Sequence, residues 1–488
     1  MQQLKKKTTS GLIWSITDLM TNQVLQFVIQ IILARLLLPE HFGIVGMILV
    51  FIAISNSIID SGFTQALVRD TNTSNEDYST VFYFNLSMAI VLYVILYFLA
   101  NPISVFFEEP QLISILRVLS LGILINSVGI IQRVILIKNV NFKTQTKINI
   151  IAGVTSGVVA IICAKMGYGV WSLVIKTLIM QLIQSLLIWF SSKWIPVLVF
   201  NFKSFKKFFS FGIKLLLAGI IDIIYNNIFF VIIGKMFSAS QLGYYTNSIK
   251  LRDVVSMSIT AAIQRVTYPV LSSIKLEKER LKYGFRKIIK TSAFIIFPLM
   301  IGLAAISDAL INLLFGGKWM QSVIYLQLLC FAGMLYPIHA MNLNILQVKG
   351  RSDLFLLLEI IKKTLLTVLI ALSLWMKLGI IGLICAAVLD SFIAFGINTF
   401  FSGREISYST KEQIKDLTPI FIVSFIMGAF VYYIGQVIPA SNFIIIVCQI
   451  SIGIIIYVLL CKLARIKELN TVYNLLFPLL RMVKLKLY

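Results

Sequence analysis

Charged side chains set inside long apolar runs are the residues best placed to do chemistry in this 488-residue chain. A charge in hydrocarbon is costly unless it faces water, a partner or a cargo. The set comprises Asp18, Arg117, Lys176, Lys214, Asp222, Lys250, Arg252, Asp253, Arg265, Glu359, Lys362, Lys363 and Asp390. Cations outnumber anions, which suits a cleft holding an anionic cargo, since ammonium and guanidinium groups grip anions through charge-assisted hydrogen bonds. Arg117, Lys176, Lys214 and Arg265, one from each of four apolar runs, are the expected contacts of that cleft. For each the alternative is a side chain snorkelling from near a helix end, an alternative that weighs most on Lys214 and Arg265, while Lys176 lies deeper.

Three carboxylates have a different use open to them. Asp18 and Asp222 fall in the first apolar run of each of two similar halves, about one helical turn apart when the halves are superposed. Desolvation and nearby cations tune such a group to bind a proton or a sodium ion, and a structural salt bridge is the competing reading. Asp390 presents the same choice. Lys250, Arg252 and Asp253 can pair among themselves, and Glu359 with Lys362 and Lys363 has the spacing of a locally satisfied helix face. His41 and His339 stand alone, and the five cysteines lack metal or disulfide spacing, so neither a metal nor another cofactor is expected.

The elements that must carry these residues are membrane-spanning helices. Hydrophobic residues make up 59% of the chain and charged ones 13%, too few charges to dress a soluble surface, which carries about a quarter. About 20 apolar residues cross a hydrocarbon core. Runs of that kind fall near 11–36, 43–62, 80–100, 112–135, 146–165, 170–190, 209–236, 246–270, 288–310, 321–346, 354–376, 379–400, 417–436 and 442–462. These positions predict an all-α integral membrane protein of about 14 spans. The first run follows Lys5, Lys6 and Lys7, yet it is longer than a signal-peptide core and lacks a small-residue cleavage site, so it reads as an uncleaved span. Pro298 and Pro337 interrupt runs in the second half and are candidate hinges.

The net charge of +23 would suggest nucleic acid in a soluble protein, but here it reads as topology and attraction to anionic membrane lipid. One set of connections holds Lys138, Lys143, Lys203, Lys206, Lys207, Lys275, Arg280, Lys349, Arg351, Arg404 and Lys411, with many more basic residues beside them. The opposite set holds only Arg35, Lys165, Lys235, Lys318 and Lys377. The rule that basic loops stay inside therefore places both termini in the cytoplasm. A basic, apolar tail over 462–488 has the pattern of an interfacial amphipathic helix.

The halves repeat. Leu33 to Ile44 aligns with Ile233 to Tyr244 at an offset of about 200, and Met166 to Leu173 with Met376 to Leu383 at about 210. Two pseudo-symmetric six-helix bundles, 1–195 and 196–403, are expected, followed by two further helices and the basic tail over 404–488. Halves of six spans share one orientation and can enclose a cleft that opens alternately to each side.

The run Ile32-Leu33-Ala34-Arg35-Leu36-Leu37-Leu38-Pro39-Glu40-His41-Phe42-Gly43-Ile44-Val45-Gly46-Met47, with Asp60-Ser61-Gly62-Phe63-Thr64-Gln65-Ala66-Leu67-Val68 and Tyr78-Ser79-Thr80-Val81-Phe82, resembles the polysaccharide transporter family. More narrowly, it is similar to exporters of the colanic and teichuronic acid type and to lipopolysaccharide biosynthesis flippases, within the multidrug/oligosaccharidyl-lipid/polysaccharide flippase superfamily. The resemblance implies a flippase of the bacterial inner membrane that moves undecaprenyl-diphosphate-linked oligosaccharide between leaflets, coupled to a proton or sodium gradient. It implies no catalysis. A cation-coupled multidrug antiporter would need a smaller and more acidic cavity than the embedded lysines and arginines suggest. A membrane glycosyltransferase or polymerase needs carboxylates on an extended loop, where only the Glu108-Glu109 pair stands.

Overall fold

The computed structural model describes residues 2–474, and their side chains except at 2–13, 15, 16, 214 and 266. All its regular elements among the described residues are helical. In chain order they begin with α1 (Gln2–Leu36), α2 (Pro39–Asp60), α3 (Phe63–Arg69), α4 (Asn75–Phe107), α5 (Leu112–Leu119), α6 (Leu121–Lys138), α7 (Phe142–Lys165), α8 (Trp171–Ser192) and α9 (Phe202–Met236). They continue with α10 (Ala239–Ser273), α11 (Lys278–Ala305), α12 (Ser307–Phe315), α13 (Ser322–Gly333), α14 (Tyr336–Val348), α15 (Ser352–Trp375), α16 (Gly379–Ile406), α17 (Thr410–Val437) and α18 (Asn442–Leu463).

Among the described residues, twelve helical stretches are long and apolar enough to cross a membrane. The two other expected spans correspond to α10 and α15, 35 and 24 residues long. Both have the length to cross and are set apart by their charges, since α10 carries Lys250, Arg252, Asp253 and Arg265, and α15 carries Glu359, Lys362 and Lys363. A helix with charges in its middle is apolar on one face only, so averaging along the sequence hides that face.

Two expected spans are broken rather than continuous. The run over 112–135 splits into α5 and α6 at Ser120, whose hydroxyl turns back onto the carbonyls of Leu116 (2.7 Å) and Arg117 (3.1 Å). Such back-bonding competes with the helical ladder. The run over 321–346 splits into α13 and α14, with Pro337 in the first turn of α14, where a missing N–H costs nothing. Pro298 stays inside α11 without ending it.

Helix starts follow from local chemistry. Ser74 and Asp77 cap α4 reciprocally: Ser74 Oγ accepts from the Asp77 N–H (3.1 Å), and Asp77 Oδ2 accepts from the Ser74 N–H (2.8 Å). A cap of this kind is worth about 1 kcal/mol. Asn201 caps α9 in one direction, its Oδ1 accepting from the N–H groups of Lys203 and Ser204. The stretch between α8 and α9 is tied to the start of α4, since the N–H of Val197 donates to Ser79 Oγ (2.9 Å) and that of Asn201 to Thr80 Oγ1 (3.0 Å).

Contacts divide the chain into two compact units, Met1–Thr246 and Asn247–Tyr488. In the first, α7 packs between α1 and α8, α6 lies on α8 and on α4, and α2 runs along α9. In the second, α11 packs on α17, α15 on α16 and α17 on α18, while α13 and α14 lie against α16. Residues 468–474 continue the second unit as a short helical segment, and Glu468 pairs with Lys290 of α11 at 2.8 Å. The rest of the expected amphipathic tail, 475–488, lies outside the described residues.

Within the first unit, the start of α2 meets the start of α10 with no side chain between them. A Cβ on Gly43 would fall on the carbonyl oxygen of Ala239, and a Cβ on Gly243 would fall on that of Pro39. Gly43 and Gly243 are the equivalent residues of the sequence repeat. At its other end, the α2–α3 turn meets α9 the same way, where a Cβ on Gly212 would fall on the Ser61 carbonyl oxygen.

Candidate functional site

A chamber of about 300 Å³ opens among α6, α7 and α8 of the first unit. Its wall is polar: Asn126 and Arg133 from α6, Gln145 and Asn149 from α7, and Gln181 and Gln184 from α8. Gln145 and Asn149 are four positions apart and Gln181 and Gln184 three, so each pair shares one helix face. Gly122 gives Gln181 its place, because a Cβ there would lie against the Gln181 side-chain oxygen.

Hydrogen bonds tie the wall together while leaving much of its capacity free. Asn126 Nδ2 donates to Asn56 Oδ1 of α2 (2.9 Å), and Arg133 Nη2 donates to Asn126 Oδ1 (3.3 Å). Gln184 Nε2 donates to Asn149 Oδ1 (3.1 Å). Asn149 Nδ2 in turn donates to both carboxylate oxygens of Asp18 on α1, at 3.1 and 3.3 Å. The oxygens Gln145 Oε1 and Gln181 Oε1 are buried and accept no hydrogen bond among the described residues. An unpaired buried amide oxygen costs about 1–3 kcal/mol, so these two groups are held where they are by the packing of the three helices.

The expected site residues are placed as follows. Asp18 enters the network just described, which joins α1, α7 and α8. Arg117 lies over the Tyr97 ring at 4.1 Å, and its Nε donates to the Tyr97 carbonyl at 3.3 Å. Lys176 is half-buried on α8, with no ion pair or hydrogen bond among the described residues. Asp222 is exposed on α9 and Arg265 on α10, while the Lys214 side chain lies outside the described residues. Asp390 is half-buried on α16 with one carboxylate oxygen unpartnered.

Local pairs form as their spacing suggests. Lys362 holds Glu359 at 2.5 Å, and Arg252 holds Asp253 at 2.7 Å while its guanidinium lies over Tyr336 at 5.0 Å. His339 is bonded to Ser391 (3.1 Å) and Asn398 (3.3 Å).

Sequence reasoning passes over the amides of the chamber, and over Arg133. An isolated Asn or Gln in an apolar run raises no flag, whereas the i, i+3 and i, i+4 spacings of Gln181/Gln184 and Gln145/Asn149 were the available signal. Arg133 lies five residues before Lys138 and merges with the basic connection that follows.

A family model described as polysaccharide biosynthesis protein matches residues 32–324. The chain is 28% identical to the teichuronic acid biosynthesis protein TuaB of Bacillus subtilis, over 72% of this chain and 74% of that one. It is 26% identical to the lipopolysaccharide biosynthesis protein WzxC of Escherichia coli, over 87% and 88% of the two chains. Among solved structures, a lipid II flippase MurJ in an inward closed conformation matches with a TM-score of 0.76 at 17% identity, covering 96% of this chain and all of that one. An inward-facing multidrug transporter of the MATE family matches with a TM-score of 0.63 at 17% identity, over 80% of this chain and 96% of that one. The two structures share this chain's fold.

Proposed function

Because the chain belongs to the polysaccharide biosynthesis protein family, we propose that it is a flippase carrying undecaprenyl-diphosphate-linked oligosaccharide across the bacterial inner membrane by alternating access. The reading is carried by the likeness to polysaccharide biosynthesis proteins over most of both chains, in a fold shared with a lipid II flippase. Transport of this kind breaks no covalent bond, so no catalytic group is assigned. The fourteen spans form bundles over 1–195 and 196–403, with 404–488 added, and both termini lie in the cytoplasm; the unequal distribution of Lys and Arg between the two sets of connections supports this orientation.

Arg117, Lys176, Lys214 and Arg265 are the proposed contacts for the lipid diphosphate. Lys176 is the foremost of them, as an ammonium group within a span that is left without a carboxylate partner among the described residues. Asp18, Asp222 and Asp390 are proposed to bind the coupling proton or sodium ion, and Asp18 has the support of a preorganised amide, Asn149.

Deletion of the gene tests the reading. Lipid-linked oligosaccharide is expected to accumulate on the cytoplasmic leaflet, to be cleared by the wild-type chain and less well by Lys176→Ala or Arg117→Ala. Normal surface glycan in the deletion strain, with accumulation of a cationic drug instead, replaces the reading with that of an antiporter.

A further inference from the structure

We propose that the amide chamber among α6, α7 and α8 is a subsite for an uncharged sugar of the cargo, a proposal that rests on the flippase reading above. The argument is one of matching chemistry. A sugar hydroxyl both donates and accepts, and binds best where the wall offers both functions. Amides of Asn126, Gln145, Asn149, Gln181 and Gln184 line the chamber, and each amide carries both functions.

Charge argues against the two other small occupants. A metal cation wants a wall of oxygens and no positive charge, yet the Arg133 guanidinium lines the chamber. An anion wants donors only, whereas a wall of amides presents an acceptor beside every donor. Size agrees as well: about 300 Å³ is at the small end of ligand pockets, about 300–1,000 Å³, and far beyond a bare ion.

The chamber also has the right construction for selectivity. A wall built to bond hydroxyls rejects a ligand lacking them by leaving its buried amides unpaired. The phosphate contacts proposed above, Arg117, Lys176, Lys214 and Arg265, are different residues, so recognition of sugar and of diphosphate can be separated by mutation.

Two synthetic lipids distinguish these roles when bound to the full chain in nanodiscs: undecaprenyl diphosphate, and the same lipid carrying one uncharged hexose. The wild-type chain is expected to hold the hexosylated lipid at least tenfold more tightly than the bare one. The double variant Gln181→Leu/Gln184→Leu is expected to bring the two affinities together at the bare-lipid value, which also reports that the variant is folded. Should that variant fail to fold, the single unbranched replacement Gln181→Met is expected to cut the preference several-fold. Equal affinities in the wild-type chain overturn the subsite and leave the flippase reading standing. So does a hexose preference that survives the folded variant, including the case in which the variant loses only a sodium dependence of binding. A wild-type chain that binds neither lipid overturns the flippase reading together with the subsite.

Discussion

The helices α6, α7 and α8 of the first unit and α14, α15 and α16 of the second stand at corresponding places in the sequence repeat, yet they use different polar groups in different ways. At the offset of about 210 residues, Asn149 corresponds to Glu359 and Gln181 to Ser391. In the first unit the amides surround a chamber and leave buried oxygens unused. In the second, ring and charged groups take their places and bond one another, with Asp390 Oδ1 and Asn398 Oδ1 of α16 left over among the described residues. The amide N–H of Asn398 can only donate, so His339 Nδ1 accepts; Nε2 then carries the proton toward Ser391 Oγ, which donates to the Ala332 carbonyl at 3.3 Å. Glu359 is closed off by Lys362 in the same region. One backbone plan thus supports an open binding wall in one copy and a tie between helices in the other. A shared fold is no guide to where the cargo binds.

Substitution at the two places separates those roles. Asn149→Leu removes both hydrogen bonds to Asp18 and the one from Gln184, and is expected to lower lipid-linked oligosaccharide export at least tenfold in a complementation assay while the folded yield stays high. Near-normal export by this variant would dissolve the contrast between the units. His339→Leu should do the reverse. It strands Asn398 and weakens the α14–α16 seam, for a loss of about 1–3 kcal/mol of stability read as a lower melting temperature, with export per folded molecule unchanged. A variant as stable as the wild type would show that the second network is not the tie described.

The smallest effect belongs to the loop before α15. Arg351 bridges Asp353 (2.8 Å) and Glu405 (2.7 Å), and its hydrogen bond holds the Asp353 carboxyl down to about 2. A depressed carboxylate contributes stability above its unfolded value, about 3.9, and loses it as the pH falls toward the folded one. Arg351→Ala is expected to return the Asp353 titration midpoint, followed by NMR, to the ordinary range, with no measurable change in melting temperature at neutral pH because the pair is exposed.

The spans were legible because each needs an unbroken apolar run, and every expected run has its helix, from 11–36 in α1 to 442–462 in α18. Interruptions were less so: Pro337 signals one break, whereas the break at Ser120 depends on a hydroxyl whose bonding no hydropathy pattern contains. Charges announce themselves singly, so Asp18 and Lys176 stood out. Neutral amides do not, and Asn126, Gln145 and Gln181 become a site only when three helices converge. The partner of Asp18 was equally hidden, since Asn149 lies 131 positions away along the chain.

Gly43 and Gly243 press bare backbone against backbone where α2 and α10 begin. At the two glycines the contact has no rotamers to unlock and no ion pair to strip, while one turn further along α2 the Leu242 and Thr246 side chains of α10 pack on Gly46. A methyl group on either glycine would fall on the facing carbonyl oxygen, pushing the starts of α2 and α10 apart and loosening both contacts together.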